Sequence, residues 1–143
     1  RLYILTDAKR EAERAGLPFG AIADPLGAGV ERCYAVAWWV LETLGPAMLD
    51  RFFESALKGI ASEAIDVATD PGMRRVTQRV GLDWPRVQEA MRSDAWKPWV
   101  DGNRDEMRRH GYWGVPCLKY GRTVVWGQDR FWKIRKVVEA EMR

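Results

Sequence analysis

The residues best suited to chemistry lie close together near the C-terminal end of the sequence, between Gly111 and Arg130. Pro116 has no N–H group, so it cannot donate to a sheet at its own position and suits the first residue of a strand. If the peptide bond before it is cis, Val115 is free to offer its N–H and C=O groups to an extended, peptide-like ligand. Asp129 stands where the last helix is expected to begin. Its carboxylate could cap free N–H groups there, and the same helix start could hold an anionic group.

Other side chains near this stretch could contribute to a ligand pocket. Trp113, Cys117 and Trp126 flank it and could line a pocket. For Cys117 we favour a small buried apolar side chain over a reactive thiol, because no nearby cation in the sequence demands a lowered pKa. His110 is the only histidine, and it is interpreted as a surface residue or a charge at a helix C-terminus. One histidine and two distant cysteines give no recognisable ligand spacing, so no metal site is predicted.

A β-hairpin and a set of helices must position these residues. Strands are predicted over 115–120 and 123–126, with Gly121 and Arg122 at the turn. Apolar periodicity and breaker residues predict helices over 2–15, 30–44, 47–62, 71–80, 83–92 and 93–109. Asp70 is predicted to cap the fourth of these helices and Asp83 the fifth. The last predicted helix covers 129–142, with the following side chains directed inward: Phe131, Ile134, Val137, Val138 and Met142.

Composition and charge argue against several classes of function. The chain has 143 residues, 47% of them hydrophobic and 30% charged, which is ordinary for a globular protein. A net charge of +3 with interleaved acidic residues does not favour a nucleic-acid partner. No apolar run approaches the roughly 20 residues of a membrane span, so no membrane association is predicted. Two cysteines are too few for a disulfide framework, which favours a cytoplasmic location. The eight tryptophans are interpreted mainly as core and subunit-interface residues.

Two parts of the sequence resemble a known family. Gly114-Val115-Pro116, a hairpin, then Gly127-Gln128-Asp129-Arg130 and an amphipathic helix resemble the C-terminal half of a thioredoxin-like fold. The likeness is to the DsbA-like branch that contains 2-hydroxychromene-2-carboxylate isomerase and kappa-class glutathione transferase. The opening stretch, 2–7 followed by Gly-Leu-Pro-Phe at 16–19, also resembles the segment that enters the helical domain of that family.

The resemblance implies a fold and a domain organisation. The fold is α/β: the C-terminal ββα half of a thioredoxin-like fold, with a large all-helical insertion. Residues 1–29 and 111–143 would form the thioredoxin-like portion, and residues 30–110 the helical insertion domain. We expect about six helices and one two-stranded antiparallel hairpin.

The resemblance also implies a ligand. Glutathione would bind along the edge that begins at Val115, with Val115–Pro116 cis. Its cysteinyl part would pair with the Val115 backbone, and its γ-glutamyl carboxylate would accept N–H bonds at Gln128 and Asp129. The Asp129 side chain would hold the ammonium group. A homodimer and a small aromatic or electrophilic substrate are implied as well.

The catalytic residue of the family is not expected in this chain. Relatives carry a catalytic serine, or a Cys-x-x-Cys in the disulfide-exchanging members, on a strand–helix–strand unit before the helical domain. The sequence begins at Arg1 without such a unit, which predicts a fragment or an incomplete chain that is inactive alone. Besides a glutathione-dependent isomerase or transferase, two alternatives stay open: a thiol–disulfide oxidoreductase of the DsbA type, and a non-catalytic helical binding module.

Overall fold

The computed structural model describes residues 2–142. They fall into two compact units, with the boundary between Trp96 and Lys97. Each unit is built around its own elements. The division predicted from the resemblance, with a helical insertion over 30–110, stays a prediction.

The first unit is helical because apolar residues recur at helical spacing and glycine or proline interrupts them. Gly45 has a φ of 83°, which ends one helix, and Pro46 occupies the first turn of the next. The five helices of this unit are α1 (Leu2–Ala15), α2 (Ala28–Leu44), α3 (Pro46–Ser62), α4 (Asp70–Gln78) and α5 (Trp84–Arg92).

The core of the first unit lies where these helices pack together. Helix α2 packs against α3 and α5, and α4 packs against α3 and α5. Six helical side chains and Val67, from the turn between α3 and α4, are completely buried in this core; the helical ones are Val36, Val40, Phe52, Met73, Val76 and Val87. Ser55 is also buried, and its hydroxyl donates to the carbonyl of Val76 at 2.8 Å. The side chain of Ser55 therefore satisfies its polar group inside the core.

The start of α4 corrects one prediction. Thr69, and not Asp70, is the N-cap, because its hydroxyl accepts a hydrogen bond from the N–H of Gly72 at 3.2 Å. The carboxylate of Asp70 instead pairs with Arg32 of α2, and Arg32 also donates to the carbonyl of Ala68 at 3.0 Å. The prediction for α5 is confirmed: the Asp83 side chain accepts from the N–H of Arg86 at 3.3 Å.

The second unit consists of most of one helix, a hairpin and a terminal helix. Helix α6 (Trp96–Arg109) begins at the last residue of the first unit and ends before Gly111. Strands β1 (Cys117–Tyr120) and β2 (Thr123–Trp126) are antiparallel, a 3-10 turn covers Gln128–Arg130, and α7 covers Phe131–Glu141. Helix α7 packs against both strands. Among the described residues, these two strands form the only sheet, as predicted.

Two details of this unit differ from the sequence prediction. Strand β1 begins at Cys117 and not at Val115, because its pairing with β2 begins at Cys117 opposite Trp126. The last helix begins with a 3-10 turn, so its α-helical part starts at Phe131 and ends at Glu141, before Met142. Ile134, Val137 and Val138 are half-buried as expected, whereas Phe131 and Met142 are 41% and 81% exposed.

Candidate functional site

The loop before β1 presents a free stretch of backbone. Helix α6 ends at Gly111, whose φ of 78° lets its N–H bond to the carbonyl of Arg108 at 2.8 Å. The Val115–Pro116 peptide bond is cis. The Val115 side chain is 81% exposed, and neither its N–H nor its C=O has a hydrogen-bond partner among the described residues. Exposed backbone with both groups free can pair with a strand-like ligand.

A second free backbone stretch lies at the other end of the hairpin. Gly127 has a φ of 93°, and a Cβ at this position would collide with Oδ1 of Asp129. No side chain caps the turn that follows, so the N–H groups of Gln128 and Asp129 have no partner among the described residues. The capping interpretation of Asp129 is therefore wrong. Uncapped N–H groups at a helix start attract anions.

One hydrogen bond holds these two stretches together. The N–H of Gly127 donates to the carbonyl of Pro116 at 2.9 Å, and the neighbouring Cys117 is paired with Trp126 across the sheet. The structure thus brings together the residues that the sequence assigned to the ligand: Val115, Pro116, Gln128 and Asp129.

The charges at this position come from adjacent side chains. Oδ1 of Asp129 lies 3.5 Å from Nη1 of Arg130, and the two side chains are 68% and 53% exposed. The same Nη1 donates to the carbonyl of Trp126 at 2.8 Å, which fixes the guanidinium beside the strand end. An exposed pair of this kind contributes little to stability. The Asp129 carboxylate is accordingly accessible to a cationic group.

Two of the predicted pocket-lining tryptophans are in contact here. The rings of Trp113 and Trp126 have centroids 6.3 Å apart and planes tilted by 38°. A Cβ at Gly114 would lie 2.7 Å from Nε1 of Trp126, so only glycine allows this close approach. Trp113 itself is 80% exposed. These indoles form an apolar surface, and Gly114 alone separates Trp113 from Val115 in the chain.

Cys117 lines a cavity of about 280 Å³ together with Val115, and Tyr112, Met107, Leu118 and Val124 supply further walls. Its thiol donates to the carbonyl of Gly114 at 3.0 Å. It is half-buried, so the site holds a thiol that is neither sealed in the core nor fully exposed.

His110 makes two contacts in this cavity that were not predicted from the sequence. Nε2 of His110 lies 3.0 Å from Oε1 of Glu106 and 3.1 Å from Nζ of Lys119. The hydrogen bond from His110 and the charge of Arg109 lower the pKa of Glu106 below its usual value. All three contacting groups line the same cavity as Val115. The spacing of Glu106 and His110, four residues apart on one helix, is the signal that could have revealed the cluster.

The described part of the chain has neither a metal-binding cluster nor a membrane-spanning helix. Residues 2–142 contain no group of three or more histidine, cysteine or acidic side chains placed to hold a metal ion. Within that range, no helix has both the length and the apolar character needed to cross a bilayer.

Comparison with known proteins identifies the family. The family model described as DSBA-like thioredoxin domain matches residues 1–139. The chain belongs to this family. This match confirms the predicted α/β thioredoxin-like fold with a helical insertion.

A solved structure of a 2-hydroxychromene-2-carboxylate isomerase has the same fold. It superposes with a TM-score of 0.80 at 18% sequence identity, over 99% of this chain. The chain spans 66% of the length of that isomerase. No curated protein sequence matches.

Proposed function

We propose that this member of the DsbA-like family is part of a glutathione-dependent isomerase or transferase of the 2-hydroxychromene-2-carboxylate isomerase and kappa-class type. The observation that carries the proposal is the pair of free backbone stretches, at Val115 and at Gln128–Asp129, held together by the bond from Gly127 to Pro116. The likeness in fold to a 2-hydroxychromene-2-carboxylate isomerase supports it.

Two parts of glutathione, the cysteinyl and γ-glutamyl residues, have matching groups in this arrangement. The cysteinyl residue pairs with the N–H and C=O of Val115, as a short antiparallel strand would. The γ-glutamyl carboxylate accepts hydrogen bonds from the N–H groups of Gln128 and Asp129. The Asp129 carboxylate holds the γ-glutamyl ammonium group, and Arg130 beside it keeps the carboxylate in place.

The second substrate is a small aromatic or electrophilic molecule. The exposed indoles of Trp113 and Trp126, tilted by 38° to each other, offer an apolar surface for such a molecule. None of the residues proposed to hold glutathione is assigned as the catalytic group, and the working protein would be a cytoplasmic homodimer.

Asp129 provides the sharpest test. Asp129→Asn removes the carboxylate charge and leaves the backbone N–H groups in place. We expect glutathione affinity in the full-length protein to fall by roughly tenfold or more, because hydrogen bonds to charged groups contribute about 1.5–3 kcal/mol. Isothermal titration of the variant and the parent with reduced glutathione measures the difference.

Asp105→Asn is the matched control. Asp105 is an exposed aspartate in the same unit, and its Oδ1 lies 3.2 Å from Nη1 of Arg108. It lines neither free backbone stretch, so its variant should keep the parent's affinity. Equal affinity in the Asp129→Asn protein and the parent would refute the glutathione role of Asp129.

A further inference from the structure

The first unit contains a separate cleft of about 470 Å³. It lies between helices α2 and α5, which pack together, and the residues that lead into α6. Its volume is within the range of pockets that hold small molecules. None of the residues assigned to glutathione lines it, so whatever binds here is independent of the proposed function.

Tryptophan dominates the wall of this cleft. Trp38 and Trp39 line it from α2, and Trp96 lines it from the first residue of α6. All three are half-buried. Trp96 is held by Tyr34, whose ring centroid is 5.8 Å from its own at a tilt of 40°. Core tryptophans would fill the space between these helices, whereas these three border an open volume.

Small residues form the remaining apolar wall. Ala35 and Ala90 are 3% and 8% exposed, and Ala95 lines the cleft beside them. The polar groups on this wall are already in use: the Thr43 hydroxyl donates to the carbonyl of Trp39 at 2.7 Å, and the Ser93 hydroxyl accepts from the N–H of Ala95 at 3.1 Å. A ligand would therefore meet indoles, methyl groups and charged side chains.

The charges of the cleft favour a cation. Glu42 stands four residues after Trp38 on α2, and Glu89 stands three residues after Arg86 on α5, so each pair shares a helix face. Among the residues that the structure describes, neither Glu42 nor Glu89 forms an ion pair. Two carboxylates against one guanidinium give the lining a net negative charge. Indole faces attract cations more strongly than other aromatic rings do.

We infer that this tryptophan cleft binds a small organic cation, an aromatic or alkyl ammonium compound, through its indoles and through Glu42 and Glu89. Tryptophan faces combined with carboxylates form the chemistry that recognises quaternary and alkylated ammonium groups.

A matched set of probes tests the charge preference. The (3-hydroxyphenyl)trimethylammonium ion and 3-tert-butylphenol have the same shape and differ by a positive nitrogen in place of a carbon, and 3-hydroxybenzenesulfonate carries the opposite charge. We expect the cation to bind about tenfold more tightly than the neutral phenol, because the faces of tryptophan rings attract a cation and have no such attraction for its neutral isostere. Titration of the 15N-labelled chain, followed by the indole N–H signals, should shift those of Trp38, Trp39 and Trp96. Equal or tighter binding of the phenol or of the sulfonate would overturn the inference, and so would shifts confined to other tryptophans.

Single substitutions test whether Glu42 and Glu89 contribute to cation binding. Glu42→Gln and Glu89→Gln should each weaken cation binding by roughly two- to fivefold at low ionic strength, the range for partly exposed charge pairs. Glu54, on α3, is also exposed but does not line the cleft. Glu54→Gln should therefore leave the affinity for the cation unchanged. All three positions are exposed, so the folded spectrum of each variant should match the parent. Affinities that do not separate the two cleft variants from Glu54→Gln would contradict the assignment. Glutathione affinity is expected to be the same in all of them.

Discussion

The two cysteines, Cys33 and Cys117, have different environments. Cys33 lies in α2, where burial raises the pKa of its thiol to about 11, and the smaller opposing effect of Arg32 does not restore it. Cys117 borders the cavity beside Val115. Cys33 is therefore a structural thiol, and Cys117 is the one placed near the ligand edge.

Alkylation rates should reveal the raised pKa of Cys33. A change from 9.0 to about 11 lowers the thiolate fraction about a hundredfold at pH 8, and the thiolate is the reactive form. We expect iodoacetamide to modify Cys33 about a hundredfold more slowly in the folded chain than in urea. Peptide mass spectrometry gives both rates. Similar rates in the two states would contradict the assigned environment.

The same shift fixes the sign of a stability effect. Because the folded pKa lies above the unfolded one, the neutral thiol favours the folded state fully below about pH 9. This contribution is lost as the pH rises from 9 toward 11. The free energy of unfolding of the parent should fall more steeply over that window than that of Cys33→Ala, which lacks the titrating group.

At the scale of elements, helix starts depend on a few side-chain bonds. Thr69 caps α4 and also donates to the carbonyl of Asp66 at 2.8 Å. Thr69→Ala should lower the free energy of unfolding by about 1 kcal/mol, the usual effect of losing a cap. Thr69→Ser keeps the hydroxyl and serves as the control, with a change well below that of alanine. Urea denaturation measures both, and an alanine variant as stable as the serine one would show that the cap contributes nothing.

The elements were more predictable from sequence than their ends. Apolar periodicity and the breakers Gly45-Pro46 predicted α2 and α3, and Gly121 predicted the hairpin turn. The cap of α4 was misplaced by one residue because Thr69 and Asp70 are both good caps, and only the geometry of Arg32 shows that Asp70 is engaged elsewhere.

The candidate site was predictable in part for a similar reason. Val115, Pro116, Gln128 and Asp129 were assigned to the ligand because the motifs that contain them resemble the pattern of the family. The cluster of Glu106, His110 and Lys119 was missed because Lys119 lies on a strand, and its approach to His110 depends on how α6 and β1 pack. The spacing of Glu106 and His110 on one helix was a local signal for part of the cluster, whereas the contact with Lys119 left none.

At the scale of the whole molecule, the second unit leaves much apolar surface exposed. Helix α7 has no fully buried side chain among its described residues. A two-stranded hairpin is marginally stable by itself in water. The exposed large apolar side chains of this unit include Trp113, Leu118, Tyr120, Trp126, Phe131 and Trp132. Such a surface is expected to be covered by another segment or by a second copy.

We therefore expect the 143-residue chain to self-associate. Sedimentation velocity over a series of concentrations should show a dimer whose fraction increases with concentration. Trp132→Lys places a charge on the exposed face of α7 and should shift the equilibrium toward the monomer, because burying an unpaired charge is costly. Leu57→Lys makes the same kind of change at an exposed leucine of the first unit and is the control. A cooperatively unfolding monomer at every concentration would argue against association.

The bond from Gly127 to Pro116 has a consequence for how this site can vary. It joins the base of the hairpin, whereas the turn at Gly121 and Arg122 lies at the opposite end of the two strands. The distance between the two free backbone stretches is therefore set without reference to the length of the turn. Residues can be added or removed at that tip, an exposed loop of the type that tolerates insertions. The hairpin is thus a place where a reporter peptide or a longer natural loop fits while the ligand edge keeps its register.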